Sequence, residues 1–266
     1  MSETPPIPIL HHLARSGGTL ISKCLGSMPK VLLLSEIHPW AGGQAMRPFG
    51  PLHPAHDWFG LVEASEVRTL ESMDPGFAEA IAMLARRARA RGKTLVLREW
   101  SHLDYMGAPW IEHPPMTSVL TRVLHDAGLE TRHAFTTRHP ADQWLSLRRL
   151  AVIHGALRLE AYLRGCAAFA EAAGSDGLRY EQFCVEPAPA LKRMCGSLGV
   201  RYDPAWMDGW RRYTTITGDT TGSRGGTGPS AQIRPLTRRA VDPDLAARFL
   251  EDQNYQAACV HAGYSP

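Results

Sequence analysis

Short unbroken apolar runs alternate along the chain with segments whose apolar residues recur every three to four positions. Pro6 to Leu13 reads as a buried strand, and Val31 to Ile37 suits a strand buried on both faces; each is too short for an independent helix. Lys93 to Leu97 and Thr131 to Thr137 read as the third and fourth strands. Between them, Leu20 to Met28 has helical patterning, Phe77, Ala80, Ile81, Leu84 and Ala88 repeat at helical spacing up to Gly92, and Val119, Leu120, Val123, Leu124 and Ala127 do so up to Gly128. The pattern further predicts helices over 141–152 and 157–172, a short strand over 178–180, a helix carrying Leu191, Met194, Cys195 and Leu198, a small helix opened by Asp203-Pro204, and a closing amphipathic helix from about Asp242. Strands alternating with helices, without repeats or linkers, predict one α/β domain over residues 1–266, with a central parallel sheet flanked by helices.

Two stretches resist this rhythm. From His38 to Asp74, prolines and glycines at 39, 42, 43, 48, 50, 51, 54 and 60 break regular structure, while Trp40, Phe49, Trp58 and Phe59 supply apolar surface; a pocket wall or lid is expected there. From Thr214 to Arg234, Gly, Thr and Arg predict a long loop.

Ligands of open parallel sheets sit at the carboxyl ends of the strands, and the polar clusters fall there: Arg15-Ser16, Glu36, Arg98 to His102, and Arg138. The first strand runs into Arg15-Ser16-Gly17-Gly18-Thr19 and then a helix start. Two glycines let backbone N–H groups curl around an anion, and the helix N-terminus adds partial positive charge. This is a phosphate cradle without a Walker A Gly-Lys-Ser/Thr, and Lys23 lies too far into the helix to replace it. After the fourth strand, Arg138-His139-Pro140 opens a helix with Asp142 at its positive end, and Ser146 lies eight residues beyond Arg138 (146 − 138), so both could reach one phosphate. His11 and His12 read as packed side chains, and the Arg86, Arg87, Arg89 run as a solvated helix face.

Net charge is +3 with a pI near 8.7, which suits an anionic small molecule; no dense basic stripe with interleaved aromatics points to nucleic acid. The five cysteines are scattered and lack Cys-x-x-Cys spacing, as free thiols in a reducing compartment would be. With no signal-like N-terminus and no apolar run of spanning length, a cytoplasmic location without membrane insertion is expected. No Mg²⁺ or Zn²⁺ ligand pattern stands out.

Arg15 directly before Ser-Gly-Gly-Thr resembles the 5′-phosphosulfate loop of the sulfotransferase family, and Arg138 with Ser146 resembles its 3′-phosphate motif. Leu178-Arg179-Tyr180-Glu181-Gln182-Phe183 is similar to the family segment whose Tyr contacts the nucleotide, and Gly222-Ser223-Arg224-Gly225-Gly226 resembles its late basic loop, for which Arg234, Arg238 or Arg239 are alternatives. Arg15 in place of Lys, and Leu20 where cytosolic members stack an aromatic on adenine, look more like the Golgi-type branch. The resemblance implies transfer of a sulfuryl group from 3′-phosphoadenosine 5′-phosphosulfate (PAPS) to a small-molecule hydroxyl or amine, leaving adenosine 3′,5′-bisphosphate, without a metal. It implies that Arg15, Ser16, Gly17, Gly18, Thr19, Leu20, Arg138, Ser146, Tyr180, Arg224 and Gly225 surround the donor. Glu36, His102 and Glu99 are candidate bases, Arg15 is the catalytic cation on the bridging oxygen, and Trp40, Trp58, Phe59, Trp100 and Tyr105 are acceptor walls. A P-loop kinase using ATP and a non-catalytic nucleotide-binding protein are the alternatives.

Overall fold

The computed structural model describes residues 4–40, 49–73, 76–108, 110–150, 153, 155–218 and 232–266. The strands are β1 (Ile7–His12), β2 (Val31–Ile37), β3 (Thr94–Glu99), β4 (Thr131–Thr137) and β5 (Leu178–Arg179). The helices, in chain order, are α1 (Gly18–Gly26), α2 (Leu52–Asp57), α3 (Ala64–Met73), α4 (Phe77–Ala90), α5 (Ser101–Met106), α6 (Val119–Asp126), α7 (Pro140–Leu147), α8 (Leu159–Ala173), α9 (Tyr180–Val185), α10 (Pro187–Leu198), α11 (Trp206–Gly209), α12 (Pro243–Glu251) and α13 (Gln253–His261).

All five strands pair in parallel in the order β2-β3-β1-β4-β5. β1 is buried along its whole length, His11 and His12 at its end included. α1, α9 and α10 cover one region of the sheet around Leu10, Leu25, Phe183 and Leu198. α5, α7, α8, α12 and α13 build a second core around Tyr162, Leu163 and Phe169, and α4 and α6 a third around Ile9, Leu34, Ile81 and Leu97. These cores share one sheet, so the elements form a single α/β domain.

The segment after β2 is more regular than its composition suggests. Pro51 precedes α2 and Pro54 falls in its first turn, where the missing N–H has no intrahelical partner to lose. The end of the chain forms two helices, α12 and α13, split at Asp252, whose carboxylate caps the second by accepting from Asn254 and Tyr255 N–H. All five cysteines are buried and free. No helix among the described residues is long and apolar enough to cross a membrane.

Candidate functional site

The turn from β1 into α1 is built around two left-handed residues, Arg15 at φ 67° and Gly17 at φ 89°. Ser16 locks the curl, since its N–H and its hydroxyl both donate to Leu13 O, at 3.2 and 2.8 Å. Gly17 is the N-cap of α1, no side chain caps that helix, and its first turn carries no acidic residue. Its leading N–H groups and dipole are therefore left for an external anion. Both glycines are needed for space as well. A Cβ on Gly17 would lie 2.7 Å from Tyr180 Cε2 and 2.9 Å from Cγ, and one on Gly18 would overlap the His12 ring.

Residues from the β4 side close over this turn. Arg15 Nε donates to Ser146 Oγ at 2.8 Å, Arg138 Nη1 donates to Arg15 O at 3.1 Å, and Gln143 Nε2 donates to Ala14 O at 2.7 Å. Pro140 at the first position of α7 sets the helix that carries Gln143 and Ser146. The Arg138 guanidinium lies 5.2 Å from the Tyr180 ring centroid, and its Nε is buried without a hydrogen-bond partner among the described residues. A buried cationic N–H without an acceptor is costly unless an anion completes it.

On the other side of β1, the tips of β2 and β3 hold a second group. Ser35 pairs with Arg98 and Ile37 with Glu99, so Glu36 is the extra residue of a bulge, and it has φ 56°. A bulge re-aims its side chain. Arg98 Nη2 donates to Glu36 Oε1 at 3.2 Å, Nη1 to Ser35 Oγ at 2.7 Å, and Nε to His12 Nε2 at 2.6 Å. Because Nε2 of His12 accepts, the proton of the neutral ring resides on Nδ1, and burial, ahead of the neighbouring Arg98 charge, holds this imidazole well below its ordinary pKa. That Nδ1 has no partner among the described residues. Thr217 and Gly218 lie across this group: Ser35 Oγ is 2.9 Å from Thr217 Oγ1, Arg98 Nη1 donates to Thr217 O at 3.3 Å, and a Cβ on Gly218 would lie 3.0 Å from Glu36 Oε1.

The other two candidate bases sit in different chemistry. His102 Nε2 accepts a 2.6 Å hydrogen bond from the Trp100 indole, and burial pushes its pKa down to about 4. Its free lone pair is thus engaged. Glu99 is fully buried; its Oε2 lies 2.7 Å from His11 Nδ1 and accepts from Ser101 Oγ at 2.8 Å, while Ser118 Oγ donates to Oε1. Burial alone would raise the Glu99 pKa, but the His11 charge and these hydrogen bonds reverse the direction and hold it low. His11 Nε2 lies 2.9 Å from His133 Nδ1, so this carboxylate joins a buried network tying β1, β3 and β4 together.

Arg15, Ser16, Gly17, Gly18, Thr19, Arg138, Ser146 and Tyr180 therefore belong to one turn and its surroundings, with Glu36 and His102 beyond β1. Leu20 and Tyr180 lie in the same hydrophobic cluster around α1, each 7% exposed. Arg224 and Gly225 lie outside the described residues. Arg98 pairs with Glu36, while Glu99, the next residue on the strand, faces the opposite way. Arg238, an alternative for the late loop, donates to Asp142 Oδ2 at 3.2 Å and lies 2.9 Å from His139 Nε2. Of the aromatic candidates, Tyr105 is core, whereas Trp100 stacks on Phe49 with centroids 4.0 Å apart and meets Trp110 edge-on at 5.3 Å. His12, Gln143 and Thr217 are neighbours that the spacing of the motifs does not announce; the adjacency of His12 to the cradle, three residues before Arg15, is the one available signal. No three His, Cys, Asp or Glu side chains among the described residues gather as a metal cluster.

No family model matches the chain, and no curated protein matches it. Among solved structures, the sulfotransferase domain from the curacin biosynthetic pathway superposes with a TM-score of 0.62, covering 99% of each chain at 15% sequence identity. The chain therefore has a sulfotransferase-like fold.

Proposed function

We propose that this protein is a sulfotransferase that moves a sulfuryl group from PAPS to a hydroxyl or amine of a small acceptor. One observation carries the reading: Arg15 in the turn after β1, Arg138 just past β4 and Ser146 in α7 converge on a glycine turn at a helix N-terminus without a side-chain cap. The fold likeness to a sulfotransferase domain supports it.

The residues present fit an anionic nucleotide. The α1 N-terminus and Arg15 would hold the 5′ end, and Arg138, with its orphaned Nε, and Ser146 the 3′-phosphate. Bound PAPS supplies an activated sulfuryl group and a bisphosphate leaving group. Positioning and charge stabilisation then account for most of the chemistry, as in phosphoryl transfer. Glu36 is the base in this reading. Its carboxylate is 13% exposed, is aimed by the bulge and is held by Arg98 on one oxygen, which leaves the other to accept the acceptor's proton. His102 is neutral across the working range with Nε2 occupied, and serves to fix the Trp100 indole. Glu99 is spent on its buried network. Trp100, Phe49 and Trp110 would form the apolar wall beside the base.

The test is thermal stability with adenosine 3′,5′-bisphosphate against ADP and AMP, with and without Mg²⁺, for wild type and Arg138→Ala. A ligand at a hundred times its Kd stabilises by about 2.7 kcal/mol. The expected result is a metal-independent rise specific to the 3′-phosphate and absent in Arg138→Ala. No response to the bisphosphate overturns the reading, and a Mg²⁺-dependent response to ADP replaces it with a kinase.

A further inference from the structure

The amino end of the sheet, on the order of 20 Å from the cradle along β1, carries a feature that sulfuryl transfer does not use. β1 lies between β3 and β4, yet it begins with Pro6 just before the strand and Pro8 within it. Proline has no N–H to give a ladder and is rare in central strands. Pairing between β1 and β4 runs from Ile7↔Thr131, whereas pairing between β1 and β3 begins only at Ile9↔Leu97. Thr94, Leu95 and Val96 pair with β2 on their other side. The sheet is thus split between β1 and β3 at its amino end.

A cavity of about 280 Å³ occupies this split, bounded by Pro5, Pro6 and Pro8, by Thr94 and Leu95, and by α4 and the end of α10. Its charged lining residues are Arg89, Lys93 and Arg132, with no carboxylate among them. Arg132 lies flat across Gly199, whose missing Cβ makes room for it: an added Cβ would lie 2.9 Å from Arg132 Cδ and 3.0 Å from Cζ. Arg89 in the last turn of α4, and Arg132 beside the carboxyl end of α10, each complement a helix dipole. That accounts for a cation on each helix, but not for three cations, with no carboxylate, lining one gap in the sheet.

We infer that this cleft is a second, non-catalytic binding site for a compact multivalent oxyanion, such as a pyrophosphate-like phosphoester or a tricarboxylate. Its volume falls just below the range of drug-sized ligand pockets and is too small for a whole nucleotide in the same mode as the cradle. Prolines and a paired sheet give it rigid walls, so little ordering opposes binding. The inference stands independently of sulfuryl transfer.

The experiment is calorimetric titration of the full chain with sodium pyrophosphate and, separately, sodium citrate, in an Arg138→Ala background that weakens the cradle. Arg89→Gln/Lys93→Gln/Arg132→Gln is compared with a charge-matched control, Arg122→Gln/Lys192→Gln/Arg193→Gln. Loss of charge-assisted contacts predicts at least about tenfold weaker pyrophosphate binding in the first triple variant, and less than about threefold in the control. Unchanged melting temperatures show that both variants are folded. Equal weakening in the two triple variants, or no saturable binding of either probe before substitution, overturns the inference. Citrate binding without pyrophosphate binding selects the carboxylate form of the ligand, and the reverse selects the phosphate form.

Discussion

Replacing Gly17 with Ala tests the cradle at its tightest point. Two costs add. At φ 89° an L-residue pays about 1–2 kcal/mol for the left-handed backbone, reduced by about 0.4–1 kcal/mol because Ala narrows the unfolded ensemble. The new Cβ also intrudes on the buried Tyr180 ring, and overpacking of this kind costs about 1–3 kcal/mol. Gly128 offers a control, since it sits at φ 73° with nothing within 4 Å of an added Cβ. Gly128→Ala should therefore lose about 1 kcal/mol, and Gly17→Ala about 2–4 kcal/mol. For a chain of 266 residues these become drops in Tm of about 2–4 °C and about 4–16 °C. Tyr180 supports the Arg138 guanidinium, so displacement of the ring should also remove the stabilisation by adenosine 3′,5′-bisphosphate. In a double-mutant cycle, Tyr180→Leu should relieve part of the Gly17→Ala cost. Equal losses at Gly17 and Gly128, or additive behaviour with Tyr180→Leu, would refute the reasoning, because the ring would then not be what the glycine accommodates.

Glu36→Gln should lower adenosine bisphosphate release from PAPS, with 2-naphthol as test acceptor, by about 10²–10⁴-fold with unchanged bisphosphate binding; a loss of the same size in His102→Gln would move the base to His102. Stability should rise with pH between about 4 and 6.5, because His102 and His133 are pushed down to about 4 by burial, so the unfolded chain binds more protons in that window. Each imidazole contributes a slope of at most about 1.4 kcal/mol per pH unit, and denaturant titrations of His133→Gln that show an unreduced slope would contradict this assignment. Glu99→Ala should cost about 3–5 kcal/mol by stranding His11, Ser101 and Ser118 in the interior, and a loss below about 1 kcal/mol in urea titration would show that the network adds nothing.

Local signals made the strands, the glycine turn and the strand-end cations legible, because burial leaves a largely apolar stretch in β1, β2 and β3 and a cradle needs glycine. Strand order left no such trace. The placement of β3 beside β1 depends on how helices pack across the sheet, so the spacing of Arg98 and Glu99 gave no means of knowing which faces Glu36 and which is interred with His11. Leu20 follows the same logic: one residue past Thr19 on the helix, it falls on the face against the core, a consequence of the helix beginning at Gly18. Helix α2 was hidden by prolines whose positions, before the first turn or within it, break nothing. His12 was invisible as chemistry because its role depends on Arg98, eighty-six residues away, donating to it.

Two backbone facts bind the candidate site together. Only three non-glycine residues among those described have positive φ: Arg15, Glu36 and Met116. Such conformations cost of order 1–3 kcal/mol and persist where the surroundings over-determine them. Arg15 is fixed by the Ser16 curl and by Ser146 and Arg138, and Glu36 by the β2 bulge and Arg98. Strain thus falls on the two residues to which cation and base are assigned. The sheet order places them at the carboxyl ends of different strands, β1 and β2, with β3 between. The chain leaves β1 toward β2 on one side and reaches β4 on the other, so the loop after β1 lies at a topological switch point. Under the proposed function, the β4 side would contribute Arg138, Ser146 and Tyr180 as ligands of the donor, and the β2–β3 side Glu36, Arg98 and Trp100 as the base, its partner and a wall. A group passed from donor to acceptor would cross above β1, where His12, hydrogen-bonded to Arg98 and packed on Gly18, is the side chain common to both halves.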